Sequence, residues 1–382
     1  LGQLQGPIKR MKMIHAGVLC YPLLVTMLLL NSCIGQSRTN AAQDIDVETT
    51  PQVQVPDEDR QIAKYVGCFE DSKGNLWITS LSKGVAMYDG ATLKYFTVAD
   101  GLPSNVILAV AEDKNGVLWF GADGGLSKYD GANFVNFTTD DGLCHPRVAN
   151  LFIDSKDRMW IGTWGGVCRF DGTTFTPFDL PVPIVDLPAT LETQNWVTEI
   201  MEDMKGNIWF GRSGYGATKY DPVSGAFTQY TKAEGLPSNC VQAIQEDDHG
   251  NIWFGTRVAE KDDPDPDDRN GPGGLTRFDG KSFIQFPELP GLNDNDVYAI
   301  FKDSSGNIWV STIGNGAYRY DKNGFTNFGV KEGADQNIAP AFSGIANITE
   351  DKEGRIWFGC ANGLFRLEGT GVINVTRAGP WK

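Results

Sequence analysis

Seven tryptophans, Trp77, Trp119, Trp160, Trp209, Trp253, Trp309 and Trp357, recur about 47 residues apart, each in a short apolar run behind a turn rich in Asp and Gly. Every repeat divides into four such runs, as in VILAVAED, VLWFGA, GLSKYD and NFVNFT of the second. These two regularities predict an all-β chain, a seven-bladed β-propeller of four-stranded antiparallel blades over residues 61–376. The period is that of propeller blades and is longer than that of leucine-rich or ankyrin units. Helical repeats are excluded because no stretch of useful length carries apolar residues at helical spacing.

Two turns recur in each repeat. The first, Asp113-Lys114-Asn115-Gly116 in the second repeat, pairs an acid that accepts backbone N–H bonds with a glycine that supplies positive φ. The second is Tyr88-Asp89-Gly90 and Tyr129-Asp130-Gly131, echoed by Phe170-Asp171-Gly172 and Phe278-Asp279-Gly280. Both read as hairpin turns. Their acids are expected to serve the turns rather than a calcium ion, which needs several oxygen ligands together.

Gly101-Leu102-Pro103-Ser104-Asn105 and Gly235-Leu236-Pro237-Ser238-Asn239 recur at fixed offsets from Trp119-Phe120-Gly121 and Trp253-Phe254-Gly255-Thr256. This pattern resembles the two-component regulator propeller family, and the resemblance covers residues 64–376. It implies the propeller architecture and a ligand-recognition role. In that family the propeller is usually the periplasmic sensing part of a membrane histidine kinase. No kinase motif is present in this sequence, so kinase activity is not carried over.

Residues 1–32 read as a signal peptide: Lys9, Arg10 and Lys12 precede the apolar run from Val18 to Leu30, which is short for a bilayer span. Leu30-Asn31-Ser32-Cys33 resembles a bacterial lipobox, which implies acylation of Cys33 and a membrane partner reached through a lipid anchor. The absence of Asp after Cys33 favours the outer membrane. Residues 34–60 lack aromatics and form a tether spanning roughly 30 Å as a flexible coil. Residues 377–382 form a short tail.

The formal charge of −15 and pI of about 4.7 would repel a phosphate backbone, so nucleic acid is not an expected partner. No cofactor is indicated. After Cys20 and Cys33, five cysteines remain, Cys68, Cys144, Cys168, Cys240 and Cys360, without C-x-x-C spacing. Most are expected as buried free thiols, with one disulfide as the alternative.

In a propeller the connections between strands one and two and between three and four emerge on one face, and the others on the opposite face. The first set is short throughout. The second holds the length variation, at Asp179 to Asn195, Arg257 to Gly274 and Gly329 to Phe342, so ligand contacts are expected on that face. Trp164, Trp196 and Tyr215 depart from their columns there, either as stacking platforms for sugars or peptides or as packing under a loop. Glu199 stands in a column otherwise holding Ala109, Asn150, Ala243, Ala299 and Asn347, and is expected to face the channel. Arg147, Arg212 and Arg257 lie near the mouth and would suit an anion, or serve as solvated loop residues. The acidic stretch Lys261–Asp268 reads as a solvated loop in preference to a calcium site.

These features describe an extracytoplasmic binding or sensing propeller for a small ligand, glycan or protein, without catalysis of its own. One alternative is a metal-dependent lyase, because the similar-looking virginiamycin B lyases use histidines, a carboxylate and a metal near the mouth. His145 and Glu199 are the nearest counterparts. A second alternative is a structural surface lipoprotein.

Overall fold

The computed structural model describes residues 66–185, 195–258, 273–286, 289, 292, 295–328, 342 and 344–376, all within one compact unit spanning residues 54–382. The expected signal peptide, Cys33, the expected tether, Lys261–Asp268 and residues 377–382 lie outside the described residues. The fold is the one the repeat predicts. Seven four-stranded antiparallel sheets each take four consecutive strands in simple order, forming blades 1 to 7 at residues 66–96, 107–137, 148–178, 197–230, 241–285, 300–327 and 345–374. The first strands of neighbouring blades lie against one another, those of blades 7 and 1 included, so they line the centre of a closed ring.

Each anchor tryptophan is buried, none more than 4% exposed. Burying an indole is favourable only if its N–H finds an acceptor. In every blade that acceptor is the turn aspartate six residues earlier: the indole donates to Oδ2 of Asp71, Asp113, Asp154, Asp203, Asp247, Asp303 and Asp351 at 2.7–3.2 Å. The other oxygen, Oδ1, accepts the backbone N–H groups two and four residues on, as Asp247 does from His249 and Asn251. Burial by itself would raise the carboxyls of Asp154, Asp247 and Asp351, but the bonds from indole, amide and guanidinium donors hold them below the usual range. The turn needs positive φ at its fourth residue, which is glycine in six blades. In blade 3 it is Asp157, at φ 57°.

The partner of each tryptophan across the sheet is a cation in six blades. Lys128, Arg169, Lys219, Arg277, Arg319 and Arg366 sit opposite their indoles, with the charge 5.4–5.8 Å from the ring centre. Blade 1 has Met87 at this place. In five blades a glycine two residues after the tryptophan makes room for the next blade. A Cβ on Gly255 would come within 2.6 Å of Val297, and one on Gly359 within 2.1 Å of the Val66 carbonyl oxygen.

A second set of contacts fastens blade to blade on the face bearing the Asp-Gly turns. The last acid of a first strand accepts from the turn of the preceding blade: Glu112 from the Ser72 N–H and hydroxyl, Glu202 from Ser155, Glu246 from the Met204 N–H and Glu350 from Ser304. Glu70 closes the ring by accepting the Lys352 N–H at 2.6 Å. Where the column holds Lys302, the turn offers Asp248 at 2.7 Å. Where it holds Ile153, Lys114 instead reaches Asp157, the aspartate in the glycine position. A carboxylate bonded to backbone N–H groups is worth more here than the exposed ion pairs.

Of the five cysteines, three are buried outside any disulfide, as expected of most of them, and the alternative of one disulfide also holds. Cys144 and Cys168 form a disulfide, with Cα atoms 5.7 Å apart, while Cys68, Cys240 and Cys360 are buried free thiols. The bond ties the connection before blade 3 to that blade's third strand, a pairing across 24 residues that a search for short Cys spacing does not reveal.

Trp253→Ala should cost about 3–5 kcal/mol in urea unfolding, by loss of packing and by leaving Asp247 without its indole donor. Gly359→Ala should cost roughly 1–3 kcal/mol because the clash falls on backbone at the closing seam. A neutral result at Gly359 would mean that blades 7 and 1 pack less closely than described.

Candidate functional site

The loop after the second strand is held in the same way in each of six blades. Its first N–H donates to the carbonyl of the residue that leads into the same blade's first strand: Asp123 to Val106, Trp164 to Arg147, Ser213 to Trp196, Arg257 to Cys240, Ile313 to Asp296 and Ala361 to Gly344, at 2.9–3.2 Å. This bond sets the mouth of the ring. It also places each loop residue beside the leading residue of the following blade, so side chains meet across the seams.

Two of the predicted site residues meet in this way. At the seam between blades 3 and 4, Trp164 and Trp196 stack with ring centres 4.8 Å apart and planes 23° apart, both half-buried. At the seam between blades 2 and 3, Arg147 donates Nε and Nη2 to the two carboxylate oxygens of Asp123 at 3.0 and 2.8 Å. The Arg147 guanidinium also lies 4.1 Å from the centre of the Trp164 ring, which joins both seams into one array. His145 borders it: Nδ1 accepts the Arg147 N–H at 3.1 Å, and burial, aided by the Arg147 charge, lowers its pKa below the ordinary value.

Arg212, Tyr215 and Arg257 are buried: the two arginines are not the solvated loop residues of one expectation, and Tyr215 accords with the alternative of packing under a loop. Arg212 is 2% exposed; it donates Nη1 to the Pro181 carbonyl at 2.7 Å and Nη2 to Asn195 at 3.1 Å, and its guanidinium lies 4.5 Å from the Tyr215 ring centre. Burial lowers it to about 10. Pro181 and Asn195, near the two ends of the long connection between blades 3 and 4, meet the Arg212 guanidinium, an environment that a count of loop lengths does not reveal. Arg257 lies at the seam of blades 5 and 6, away from the Trp164 array, with its own N–H on the Cys240 carbonyl.

Glu199 stands on the first strand of blade 4, opposite Gly211, about two strand residues further from the mouth than the aromatic pair. It is half-buried. Its Oε1 accepts the Asn150 amide from blade 3 at 3.2 Å and the Ile200 N–H at 3.2 Å. Burial pushes its carboxyl up to about 7, with those two bonds opposing. Several buried polar atoms around it find no partner among the described residues: Asn150 Oδ1, the indole nitrogens of Trp164 and Trp196, Arg212 Nε and Ser213 Oγ. Sequence reasoning missed Asn150, Asp123 and Asn195. The alanine and asparagine column was visible, but not that its Asn150 faces Glu199 across a seam. Among the described residues no group of three His, Cys, Asp or Glu side chains is placed to hold a metal ion.

The raised carboxyl has a signed consequence for stability. The folded chain holds the Glu199 proton more tightly than the unfolded chain, so this contribution is complete below pH 4.5 and is lost as pH rises through about 7. Glu199→Gln should therefore gain on the wild type between those limits, by up to about 3 kcal/mol, and hold that gain above. Urea unfolding at pH 5, 6 and 8 measures it; a difference that does not change with pH would show that the carboxyl is not desolvated.

The repeat profile described as two component regulator propeller matches residues 101–124, 235–257 and 291–314, the segments that lead into and form blades 2, 5 and 6. No curated protein matches by sequence. Among solved structures, a streptogramin B lyase superposes with a TM-score of 0.59 at 16% identity, over 83% of this chain and 95% of the lyase. Virginiamycin B lyase from Staphylococcus aureus gives 0.56 at 15%, over 78% and 92%. The extracellular domain named for the hybrid two component system BT4673 of B. thetaiotaomicron gives 0.44 at 18%, over 85% of this chain and 53% of that one. At these identities the likeness to the lyases is one of fold. The chain is thus a seven-bladed β-propeller in which the lead-in and first two strands of blades 2, 5 and 6 match the two component regulator propeller repeat.

Proposed function

We propose that the chain is an extracytoplasmic binding or sensing propeller without catalysis of its own, held at a membrane by acylation of Cys33, which recognises its ligand on the face carrying Trp164 and Trp196. The observation that carries this reading is the array at the seam of blades 3 and 4. Two stacked, half-buried indoles whose N–H groups find no acceptor among the described residues lie at the same seam as Asn150 and Glu199, and unmet polar atoms of this kind are what a ligand satisfies. The opposite face carries the same Asp–Trp turn in all seven blades and a Glu clamp at five of the seven seams. The Cys144–Cys168 disulfide suits an oxidising compartment. Among the described residues no helix is long and apolar enough to cross a membrane.

Glycan and peptide arrays probed with the purified protein should yield a ligand whose hydrogen-exchange footprint covers the Trp164 and Trp196 loops. Trp196→Ala should weaken that binding roughly fivefold, the loss of about 1 kcal/mol of stacking, without unfolding the ring. A footprint on the Tyr-Asp-Gly turns would refute the placement, and turnover dependent on His145 would favour a lyase. Cys33→Ala should move the protein from the membrane to the soluble fraction; continued membrane association would refute the lipid anchor.

A further inference from the structure

The wall between blades 3 and 4 carries a carboxylate that no cation among the described residues neutralises. Six of the seven blades hold Gly67, Ala109, Asn150, Ala243, Ala299 or Asn347 at this position, all uncharged; blade 4 alone holds Glu199. The cations nearest in the fold are committed elsewhere. Arg147, which leads into the first strand of blade 3, is bound by both oxygens of Asp123, and Arg212, on the second strand of blade 4, is turned to the Pro181 carbonyl and Asn195. From blade 5 the packed strand Val241–Glu246 brings Val241, Gln242 and Ala243 to this level, none of them ionisable, and the second strand of blade 3 brings Ile161, Gly162 and Thr163. A fold that places one uncompensated carboxyl in a wall of small neutral residues spends stability there, and such departures mark function more often than structure.

The surrounding atoms say what would complete it. Glu199 and the buried, unpartnered Asn150 Oδ1 put hydrogen-bond acceptors together at this seam, and among the described residues the one side-chain donor to the carboxylate is the Asn150 amide. About two strand residues towards the mouth, roughly 7 Å away, lies the Trp164–Trp196 pair. Acceptors at the inner end and aromatic surface at the outer end fit a cation with an apolar body. A metal ion fits less well, since one carboxylate and one amide are too few oxygen ligands.

We propose that this wall binds an organic cation, its primary ammonium group received by the Glu199 carboxylate and the Asn150 amide oxygen and its apolar part lying against Trp196. The proposal rests on the reading of the Trp164–Trp196 face as the ligand-binding one and names the chemistry it takes. Binding requires the ionised carboxylate, and burial leaves that form about half populated near pH 7. Affinity should therefore rise with pH, about tenfold between pH 6 and pH 8, and binding at neutral pH should release protons.

The test titrates the full chain calorimetrically with 2-phenylethylammonium chloride and with its uncharged analogue 2-phenylethanol, at pH 6 and pH 8. The expected result is binding of the ammonium, about tenfold tighter at pH 8, with at least tenfold weaker binding of the alcohol and of the ammonium to Glu199→Gln. Trp196→Ala should weaken the ammonium severalfold at both pH values. Equal affinity for alcohol and ammonium, no pH dependence, no binding at either pH, or undiminished binding to Glu199→Gln overturns the proposal. Should Glu199→Gln fail to fold, the pH dependence and the alcohol comparison on the wild type decide alone. A hydrogen-exchange footprint of the ammonium at the mouth that survives Glu199→Gln refutes this chemistry and leaves the binding face standing, whereas a footprint on the opposite face refutes both.

Discussion

The hydrogen bond from a buried indole to a turn aspartate is the contact on which the blades depend. An indole can be buried in the middle of a sheet only if its N–H is met, and a carboxylate can be buried beside it only if several donors meet the charge. Asp247 satisfies both conditions, taking Trp253 on one oxygen and two backbone N–H groups on the other. One residue thereby joins a tight turn, the second strand and the blade core. Because the same six-residue spacing recurs in all seven repeats, the ring is made of seven nearly equivalent units, each with its own Asp–Trp lock.

What holds the units to each other is different in kind. Glycines such as Gly121 and Gly255 allow the first strand of the next blade to approach the Trp-Phe-Gly strand, and Glu clamps fix the turn side of each seam. No strand is exchanged between the ends of the chain; blade 7 takes all four strands from residues 345–374. Closure therefore rests on the Glu70 clamp, the approach of Gly359 to Val66 and the Asn347 acceptor for the Cys68 N–H at 3.0 Å. These are ordinary seam contacts used once more, which is how a ring of equal blades closes without a special device.

At the mouth the same seam geometry is filled by different chemistry at each step. Between blades 2 and 3 it is an ion pair, Asp123 with Arg147; between blades 3 and 4 it is a stack, Trp164 with Trp196. Residues that look anomalous in their own columns are thus partners of residues in the neighbouring column. Part of their oddness is spent on holding the ring together. What is left over for recognition is smaller and more specific: the unmet indole N–H groups, the Asn150 oxygen and the carboxyl of Glu199.

The sequence by itself determined the number of blades, the strands within each, and which face carries the long connections, because these follow from a period, from turn residues and from alternation along short runs. It also singled out Glu199 and the two tryptophans, since a repeat makes any departure from a column visible. It did not show that the turn aspartate binds the indole, that Cys144 reaches Cys168, or that Arg212, Tyr215 and Arg257 are buried. Nor did it show that Arg147 is neutralised by Asp123. The tertiary structure decided these, for a physical reason: each depends on which side chains two different strands or blades bring within a few ångströms, and on the water that their meeting excludes. A column in an alignment of repeats records position along the chain, whereas charge compensation and burial are settled across the seams.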